Sequence, residues 1–364
     1  MYKVLIIINN LKGGGAEKIV YTLLSALDKK LFEILLCVLN DEIDIELPKH
    51  IKILKLNITH ITQLRRIKKV LKIIKGINPD LIHSNLLLAD WVTGWYKFFN
   101  RKTVVITTIH GYNEEIQEKM NYRQLIHFKL QTHFYRKFNT IVTVSKDLNN
   151  YVLKKNEIPR KRSKVIFNGL ENPERVPEFD INKRFSGKIV YIGSLRKIKN
   201  VDTLLLALAN LPQSIPFYLK IVGTGDLLYE LKRKAVELGI KEKVEFVGFR
   251  NDINDIMLDN DILVIPSLYE SFSLTALQGL IIGIPVIASN GGGIKELFGN
   301  NLSKLLFNPR SYQELIDKIY MVVDDYHNIL QIIKKERKQL LRFSAKKMIK
   351  EYQNLYLELL SEKK

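Results

Sequence analysis

Short apolar runs alternate with segments of helical period along the whole chain, and this alternation limits the possible folds more than any other feature. The pattern is typical of parallel β-sheets whose two faces are covered by helices. In the first half we predict strands at residues 4–9, 34–40, 51–57, 80–85, 103–110, 140–145 and 164–169. In the second half we predict strands at 188–194, 217–223, 243–249, 262–267, 285–289 and 304–308. The sequence therefore predicts an α/β protein with two Rossmann-like, doubly wound sheets.

The length of the chain indicates two domains, because 364 residues exceed what one hydrophobic core usually accommodates. Residues 171–187, ENPERVPEFDINKRFSG, are rich in proline and charge and lack apolar periodicity, so we predict that they link the domains. The expected division is a first domain at 1–175, a second at 176–342 and a C-terminal helix at 343–364. Two domains are expected to face a cleft, where ligands usually bind.

Positive charge is concentrated in the first half of the chain. The net charge is +19, and residues 1–170 carry 29 Lys and Arg against 14 Asp and Glu, which leaves only +4 for the rest. The partner of the first half is therefore expected to be anionic. Nucleic acid is disfavoured as that partner, because the sequence has no zinc-finger spacing, aromatic RNP-like strand or basic tail.

One basic segment, QLRRIKKVLKIIK at 63–75, predicts an amphipathic helix. Its apolar face consists of Leu64, Ile67, Val70, Leu71 and Ile74, and its basic residues are Arg65, Arg66, Lys68, Lys69, Lys72 and Lys75. Two interpretations stay open: a solvated outer face, or contact with an anionic membrane surface, where each basic residue is worth about 1 kcal/mol. The stretch HFKLQTHFYRKF at 127–138 favours the second, unless its aromatic side chains belong to the core.

The N-terminus and the single cysteine indicate the compartment. MYKVLIIINN lacks the features of a signal peptide, and no apolar run reaches the roughly 20 residues of a membrane span. Cys37 lies in the apolar run FEILLCVL and is predicted to be a buried side chain rather than a nucleophile. We expect a cytoplasmic protein that associates peripherally with the inner face of the cytoplasmic membrane.

Three glycines, Gly13, Gly14 and Gly15, stand between the first predicted strand and a helix. Backbone N–H groups and a helix N-terminus meet an anion in this geometry. The segment lacks both the GxGxxG spacing and the Walker ending, so nicotinamide binding and a P-loop are poorly supported. A structural tight turn is the alternative.

An acidic turn follows the predicted strand that ends at Ser267, within PSLYESFSLTALQGLIIGIPVIAS at 266–289. The N–H groups near Ser271–Leu274 open a helix and are available to an anion. Glu270 beside them would repel a phosphate, so a carboxylate here fits a neutral ligand with hydroxyls, such as a sugar. A plain helix cap is the alternative for Glu270.

Other candidate residues follow predicted strands at the same sheet edge, where ligands bind in such folds. Arg196, Lys197 and Lys199 suit a diphosphate, and IVGTGD (221–226) and FVGFRND (246–252) are further turns. His110 ends a predicted strand, although a lone histidine is more often a packed or capping residue. The acidic triplet at 259–261 is interpreted as structural rather than metal-binding.

Together these stretches resemble the retaining glycosyltransferases of family 4, which have the GT-B fold, across nearly all of the chain. The matching segments, in the family's order, are GGGAEKIV, VSKDLNNYV, VIFNGLE, GSLRKIKN, VGTGDL, VEFVGFRNDI and PSLYESFSLTALQGLIIGIPVIASNGGGIKEL. The resemblance implies an acceptor-binding first domain, a nucleotide-sugar-binding second domain and a C-terminal helix that crosses back to the first. It also implies transfer without a metal or another cofactor.

The resemblance also implies roles for individual residues. Glu270 matches the first glutamate of the Glu-x7-Glu signature, which holds sugar hydroxyls; Lys199 matches the diphosphate lysine, and His110 the histidine near the donor sugar. These three are the expected catalytic residues. The diphosphate is expected over a helix that begins near Phe272, and the base near Gly223, Gly225 and Arg250. The expected donor-binding residues are Gly14, Gly15, Ser194, Arg196, Gly223, Gly225, Arg250, Ser271, Phe272, Ser273, Leu274 and Gln278.

Two positions depart from the family pattern. Gln278 occupies the place of the second glutamate, which bonds the ribose diol in the family; glutamine can still donate and accept there, but it is neutral. Ser194 stands where the family commonly has a phosphate-binding arginine, which leaves Arg196 or Lys197 as substitutes.

The expected function is therefore retaining transfer of a hexosyl or N-acetylhexosaminyl group in cell-surface polysaccharide biosynthesis, of the lipopolysaccharide or capsule kind. The donor is expected to be a nucleotide-sugar, specifically a UDP-sugar, and the acceptor a hydroxyl of a glycan or lipid-linked glycan. Two alternatives stay open. One is a non-catalytic sugar-nucleotide-binding partner subunit, which Gln278 and Ser194 favour. The other is a GT-B nucleotide-sugar epimerase, which needs catalytic carboxylates that the sequence does not reveal.

Overall fold

The protein divides into two compact units. The computed structural model describes residues 1–58, 64–112, 122–171 and 180–363. Unit 1 comprises Met1–Gly169 and Ala345–Lys364, and unit 2 comprises Leu170–Ser344. The expected domain boundary between residues 175 and 176 lies outside the described residues.

Unit 1 contains a sheet of seven strands. They are β1 (Tyr2–Ile8), β2 (Phe32–Val38), β3 (Lys52–Lys55), β4 (Leu81–Asn85), β5 (Val104–Ile109), β6 (Thr140–Thr143) and β7 (Ser163–Val165). Their order is β3-β2-β1-β4-β5-β6-β7, and every neighbouring pair is parallel. All seven strands predicted for the first half are present. The central ones are apolar runs that a two-sided parallel sheet buries, whereas β3 and β7, at the two edges of the sheet, are partly exposed.

Unit 2 repeats this architecture with six strands. They are β8 (Lys188–Ile192), β9 (Tyr218–Val222), β10 (Val244–Gly248), β11 (Ile262–Ile265), β12 (Val286–Ser289) and β13 (Leu306–Phe307). Their order is β10-β9-β8-β11-β12-β13, again with parallel pairing throughout. The predicted fold class, two doubly wound α/β sheets, is confirmed.

Helices form most of the connections between the parallel strands, and an irregular segment at residues 39–51 joins β2 to β3. Those between the strands of unit 1 are α1 (Gly15–Ala26), α2 (Leu64–Ile77), α3 (Leu87–Phe99), α4 (Tyr122–Tyr135) and α5 (Lys146–Asn156). Those of unit 2 are α6 (Val201–Ala209), α7 (Leu228–Glu237), α8 (Ile253–Asp259), α9 (Leu274–Ile282), α10 (Lys295–Leu302), α11 (Tyr312–Asp324) and α12 (Tyr326–Leu340). The last helix, α13 (Ala345–Ser361), belongs to unit 1.

Helix α2 is amphipathic as predicted. Ile67, Val70 and Ile74 are buried and Leu71 is half-buried. Its exposed cations are Arg66, Lys68, Lys69, Lys72 and Lys75, which we call the α2 basic face. The side chains of Leu64 and Arg65, which the prediction also assigned, lie outside the described residues. The aromatic stretch at 127–138 belongs largely to the core, since Phe134, Tyr135 and Phe138 are buried, so it does not support membrane contact.

Buried hydrogen bonds attach α13 to the sheet of unit 1. His83, in the middle of β4, is fully buried; its Nδ1 lies 2.6 Å from Tyr356 Oη and its Nε2 2.7 Å from Thr108 Oγ1. Thr108 Oγ1 also lies 2.9 Å from Tyr352 Oη. Burial lowers the pKa of His83 to about 3, so the ring is neutral and both of its nitrogens have partners. Polar groups that are buried but satisfied in this way fix the position of α13.

Two further sequence interpretations have a structural outcome. Cys37 is fully buried in β2, and burial raises its pKa to about 12, so it is not a nucleophile. In the acidic triplet, the Asp261 carboxylate accepts hydrogen bonds from the Ser186 amide, the Ser186 hydroxyl and the Lys188 amide. Asp261 therefore anchors residues 186–188 in unit 2. The C-terminal end of the predicted linker, residues 186–187, is thus part of the folded unit. Within the described part of the chain, no helix has the length and apolar character that a bilayer span requires.

Candidate active site

The order of the strands marks where a ligand can bind in each unit. Neighbouring crossovers run in opposite directions at β1/β4 in unit 1 and at β8/β11 in unit 2, and ligands bind beyond the carboxyl ends of the strands at such points. The sequence-predicted residues follow those ends: Gly14 and Gly15 after β1, His110 after β5, Ser194, Arg196 and Lys199 after β8, Gly223 and Gly225 after β9, Arg250 after β10, and Glu270 after β11.

In unit 2 the structure brings Lys199 and Glu270 into direct contact. Lys199 Nζ donates to Glu270 Oε1 at 2.5 Å, and the two side chains are 24% and 12% exposed. Glu270 Oε1 also accepts from Ser267 Oγ at 2.9 Å. A cation suited to phosphate and a carboxylate suited to hydroxyls therefore share one polar cluster at the edge of the sheet.

The loops that carry this pair are joined by backbone hydrogen bonds. The Leu268 amide donates to the Ile198 carbonyl at 2.8 Å, and the Glu270 amide donates to the Gly291 carbonyl at 3.0 Å. Asn200, in a left-handed conformation directly after Lys199, donates through Nδ2 to the Pro266 and Pro309 carbonyls. These contacts hold Lys199 beside a residue that lies 71 positions further along the chain.

The alternative interpretation of Glu270 as a helix cap is wrong. Ser273 caps α9, because its Oγ accepts from the Ala276 amide at 3.2 Å and its backbone is extended. Helix α9 therefore begins at Leu274, two residues later than the expected start near Phe272. Phe272 is instead buried, with its ring 5.3 Å from that of Phe343. Glu270 lies outside the helix, and its charge raises the pKa of the Tyr191 hydroxyl beyond the effect of burial.

The two glycines expected near the base have a packing role. A Cβ at Gly223 would collide with the Gly193 carbonyl, and a Cβ at Gly225 would collide with the Leu195 carbonyl. Gly223 also has a φ of +136°, which disfavours other residues. The loops after β8 and β9 therefore approach closely only because these residues are glycine. The glycines of IVGTGD (221–226) are therefore explained by the close packing of these two loops, whether or not a ligand is bound.

Two arginines were predicted to contact the donor. Arg196 Nε lies 3.4 Å from Ser194 Oγ, a long contact that leaves the guanidinium exposed. Arg250 forms a bidentate pair with Asp252, with Nε–Oδ1 and Nη2–Oδ2 distances of 2.8 and 2.5 Å, and this hydrogen bonding raises its pKa. Both guanidinium groups therefore have polar neighbours within unit 2.

Gln278, the departure from the second glutamate, has an amide partner. It lies on α9, and its Nε2 donates to Asn254 Oδ1 on α8. Gln278 Nε2 donates in this contact, and an amide oxygen accepts hydrogen bonds. Oε1 is therefore the Gln278 atom that can accept a hydrogen bond from a ligand hydroxyl.

In unit 1 the glycine turn precedes α1 as predicted. Gly13 has a φ of +90°, and Gly14 is the N-cap of α1 with an extended backbone. The Glu17 carboxylate lies in the first turn, where a Cβ at Gly14 would collide with it. An acidic side chain therefore already faces this helix N-terminus, which favours a hydroxyl-bearing ligand over a phosphate there.

His110 is the first residue after β5. It is half-buried, and its Nε2 lies 3.0 Å from Asn85 Oδ1. Burial lowers the pKa of His110 to about 4, so the imidazole is neutral at physiological pH. A neutral imidazole can exchange hydrogen bonds with hydroxyls but cannot act as a cation toward phosphate.

Sequence reasoning missed three polar residues at these edges: Asn85, Asn254 and Ser267. Asn85 and Ser267 come at or directly after the ends of predicted strands, and that position is a signal that would have found them. Asn254 precedes Gln278 by 24 residues, and no local pattern connects the two.

Comparison with known proteins identifies the family and the fold of both units. Residues 13–172 match the family described as Glycosyltransferase Family 4, and residues 179–339 match the family described as Glycosyl transferases group 1. The structure is similar to that of Anabaena HepE in complex with UDP-glucose, with a TM-score of 0.80, 20% identity and 100% of both chains covered. The two family matches and the fold define a GT-B glycosyltransferase.

Two curated relatives are also glycosyltransferases. One is an uncharacterized glycosyltransferase of Methanocaldococcus jannaschii, 29% identical over 59% of each chain, so the match spans less than two thirds of that relative. The other is the N-acetylgalactosamine-N,N'-diacetylbacillosaminyl-diphospho-undecaprenol 4-alpha-N-acetylgalactosaminyltransferase of Campylobacter jejuni, 27% identical over 89% of this chain and 91% of the relative. The chain belongs to the family 4, group 1 glycosyltransferases.

Proposed function

We propose that this glycosyltransferase transfers a hexosyl or N-acetylhexosaminyl group from a UDP-sugar to a hydroxyl of a glycan or lipid-linked glycan, with retention of anomeric configuration. The biological role would be the synthesis of a cell-surface polysaccharide. The contact between Lys199 and Glu270 carries this proposal. A single cluster at the edge of unit 2 then offers a cation for the diphosphate and a carboxylate for the sugar hydroxyls.

The names of two similar proteins support the donor and the acceptor. The HepE structure contains UDP-glucose, and the Campylobacter relative acts on a sugar carried by diphospho-undecaprenol. By analogy, the donor of this chain is a UDP-sugar and its acceptor a sugar linked to a lipid diphosphate.

The proposed chemistry requires charge stabilisation rather than a protein nucleophile. The bond from the anomeric carbon to the UDP oxygen breaks, the acceptor hydroxyl oxygen bonds to that carbon on the same face, and the departing diphosphate takes the hydroxyl proton, so that the anomeric configuration is retained. Lys199, Arg196 and the amides that open α9 stabilise the negative charge that develops on the departing diphosphate. Glu270 holds hydroxyls of the donor sugar, and Gln278 Oε1 accepts from the ribose. No metal is assigned to this step.

We also propose that unit 1 associates with an anionic membrane surface, because a lipid-linked acceptor is presented there. The α2 basic face supports this proposal, since its five cations are exposed. At about 1 kcal/mol for each cation near an anionic surface, the sum permits reversible attachment. Such attachment weakens as salt screens the charges.

A vesicle experiment tests the membrane proposal. The protein should co-sediment with anionic vesicles, less so at high salt, and replacing Lys68, Lys69 and Lys72 by glutamine should reduce binding. The control replaces the exposed Lys334, Lys335 and Lys338 of α12, an equal change of charge in unit 2. Equal binding to neutral and anionic vesicles contradicts the proposal, as does equal loss in both variants.

Donor binding and turnover test the catalytic proposal. Calorimetry with UDP, GDP and ADP, and then with their sugar conjugates, should show preferential binding of UDP. Turnover with a lipid-diphosphate-linked acceptor should yield a longer glycan. Donor binding without turnover would instead favour the partner-subunit alternative, and an altered nucleotide-sugar without transfer would favour the epimerase.

A further inference from the structure

One helical layer of unit 1 exposes positive charge without negative charge. Helix α3 packs against α2 on one side and against α4 on the other. The sequence of these three helices contains a single acidic residue, Asp90, which is only 3% exposed. The exposed cations are the α2 basic face and Lys129 of α4, followed by Arg101 and Lys102 directly after α3. The described side chains on the outer surface of this α2–α4 layer therefore carry positive charge only.

The helices on the opposite face of the sheet have mixed charge. The side chain of His83 contacts α13, whereas that of Ser84, the next residue of β4, donates to Asp90 on α3. Successive side chains of a strand point to opposite faces, so α13 and the α2–α4 layer lie on opposite faces. Helix α1 packs against α13. The acidic residues of these two helices are Glu17, Glu351 and Glu358. The absence of exposed acids is therefore a property of the described α2–α4 layer and not of unit 1 as a whole.

The same layer exposes aromatic side chains at the end of α3. Phe98 and Phe99 are 52% and 67% exposed, and Trp95 is half-buried; we call these three residues the aromatic tip of α3. Among the described helices of unit 1, the other exposed large apolar side chains are Leu87 and Ile126, which belong to the same layer. Aromatic side chains that are exposed among cations are typical of segments that lie in a membrane interface.

The aromatic tip of α3 is anchored at its base. Its neighbouring ring centroids are 5.2 and 6.4 Å apart, and the Trp95 ring lies 5.4 Å from the buried Phe134 ring on α4. Lys97 Nζ donates to the Arg101 and Thr103 carbonyls, at 2.9 and 2.6 Å, and so fixes the turn that follows α3. Because the rings are already held in place, little conformational entropy is lost when a partner covers them.

We propose that the α2–α4 layer docks onto an anionic bilayer and that the aromatic tip of α3 inserts between the lipid headgroups. This inference rests on the proposed function, because a lipid-linked acceptor brings the enzyme to a membrane. It adds apolar insertion to the electrostatic attraction of the α2 basic face, and it assigns the residues that insert. An anionic bilayer matches both properties of the layer, since it offers negative headgroups to the cations and an apolar interior to the rings.

The two components of this surface should respond differently to salt. Attraction between cations and headgroups is screened, because the Debye length falls from about 10 Å at 0.1 M to about 3 Å at 1 M ionic strength. Burial of aromatic surface is not screened in this way. The contribution of the aromatic tip should therefore persist at an ionic strength that removes most of the contribution of the α2 basic face.

Flotation with vesicles of phosphatidylglycerol and phosphatidylcholine measures both contributions. The double variant Phe98→Ser, Phe99→Ser should partition about 10–50-fold more weakly, and by a similar factor at low and at high salt. The effect of replacing Lys68, Lys69 and Lys72 by glutamine should instead disappear at high salt. Unchanged partitioning of the double variant overturns the proposal, as does a loss that disappears at high salt.

The matched control removes two exposed aromatic side chains from unit 2. Tyr229 on α7 and Tyr320 on α11 are 84% and 53% exposed, and the double variant Tyr229→Ser, Tyr320→Ser should partition like the unaltered protein. An equal loss in this control would show that any exposed aromatic residue has the same effect, which contradicts a specific docking face.

Tryptophan fluorescence tests insertion in the unaltered protein, so it decides even where a variant fails to fold. The chain has two tryptophans, and Trp91 is buried, so Trp95 is the one that a lipid can reach. Lipids brominated in their acyl chains should quench the emission of the bound protein, and Trp95→Phe should remove most of this quenching. Binding without quenching would mean adsorption to headgroups alone and overturns the proposal.

These measurements are independent of catalysis, because they use vesicles without donor or acceptor. If insertion is observed but no sugar is ever transferred, the proposed function fails while the docking face stands. If sugar is transferred but neither partitioning nor quenching depends on the aromatic tip, the docking face fails while the function stands. Sedimentation velocity adds one further outcome: a dimer that is lost in Phe98→Ser, Phe99→Ser would assign the tip to a second copy of this chain and overturn bilayer docking.

Discussion

Replacement of Glu270 by glutamine should have opposite effects on the binding of UDP and on sugar transfer. Glu270 Oε1 holds Lys199 Nζ at 2.5 Å, and the two side chains are only 12% and 24% exposed. A phosphate that also used Lys199 would lie about 5 Å from the carboxylate, where two like charges repel by roughly 3 kcal/mol at an effective dielectric constant of 20. Residual exposure screens part of this repulsion.

Removal of this charge should therefore tighten the binding of UDP. We expect an increase in affinity of about tenfold, which corresponds to roughly 1.4 kcal/mol. The same change removes a charged acceptor for the sugar hydroxyls, and hydrogen bonds to charged groups are worth about 1.5–3 kcal/mol. The value of kcat/KM for the UDP-sugar should accordingly fall by about 10–150-fold.

Calorimetry at fixed ionic strength measures the first effect and initial rates measure the second. The control is Glu245→Gln, an equal charge change at an exposed position near the amino end of β10, which should alter neither quantity. UDP affinity that is unchanged or weaker in a correctly folded Glu270→Gln protein would refute the argument that Glu270 and a diphosphate compete for Lys199.

Four further predictions concern single side chains. Lys199→Ala should weaken UDP binding by about 10–150-fold in calorimetry, because a charge-assisted hydrogen bond is lost, and an unchanged affinity would exclude contact with the diphosphate. Gln278→Ala should weaken UDP binding by about two- to tenfold, and no loss would remove the ribose role of Oε1. Ser273→Ala should lower the free energy of unfolding in urea by about 1 kcal/mol, since it removes the cap of α9, and equal stability would show that the cap contributes nothing. Burial raises the pKa of Asp90 to about 6, so between pH 4 and 6 the folded protein holds a proton that the unfolded chain has already lost. The free energy of unfolding should therefore fall as pH rises from 4 to 6. Urea titrations at pH 4 and 7 should show a weaker dependence in Asp90→Asn.

The strands were predictable because a buried parallel strand is a continuous apolar run. Val4 to Ile8 of β1, for example, are all fully buried, and the sequence there is uniformly aliphatic. The positions of the site residues after the strands followed from the same pattern. The start of α9 was harder to predict, because Ser271 and Ser273 are both suitable caps and only the backbone conformation distinguishes them.

Side-chain pairing within the site was not predictable from local sequence. Lys199 and Glu270 are 71 residues apart, and their contact depends on backbone hydrogen bonds between two loops. Asn85 and His110 meet through the register of β4 and β5, which strand prediction alone does not provide. Arg250 was expected to bind a ligand, but Asp252, two residues later, pairs with it in the structure.

The central claim is that this chain transfers a sugar from a UDP-sugar with retention, using Lys199 and Glu270. The most direct measurement is proton magnetic resonance of the product formed by the purified protein from a UDP-sugar and a lipid-diphosphate-linked acceptor. The account predicts a new glycosidic bond with the anomeric configuration of the donor, formed at least about tenfold more slowly by Lys199→Ala and by Glu270→Ala. An inverted anomer, or full transfer by both variants, would contradict it.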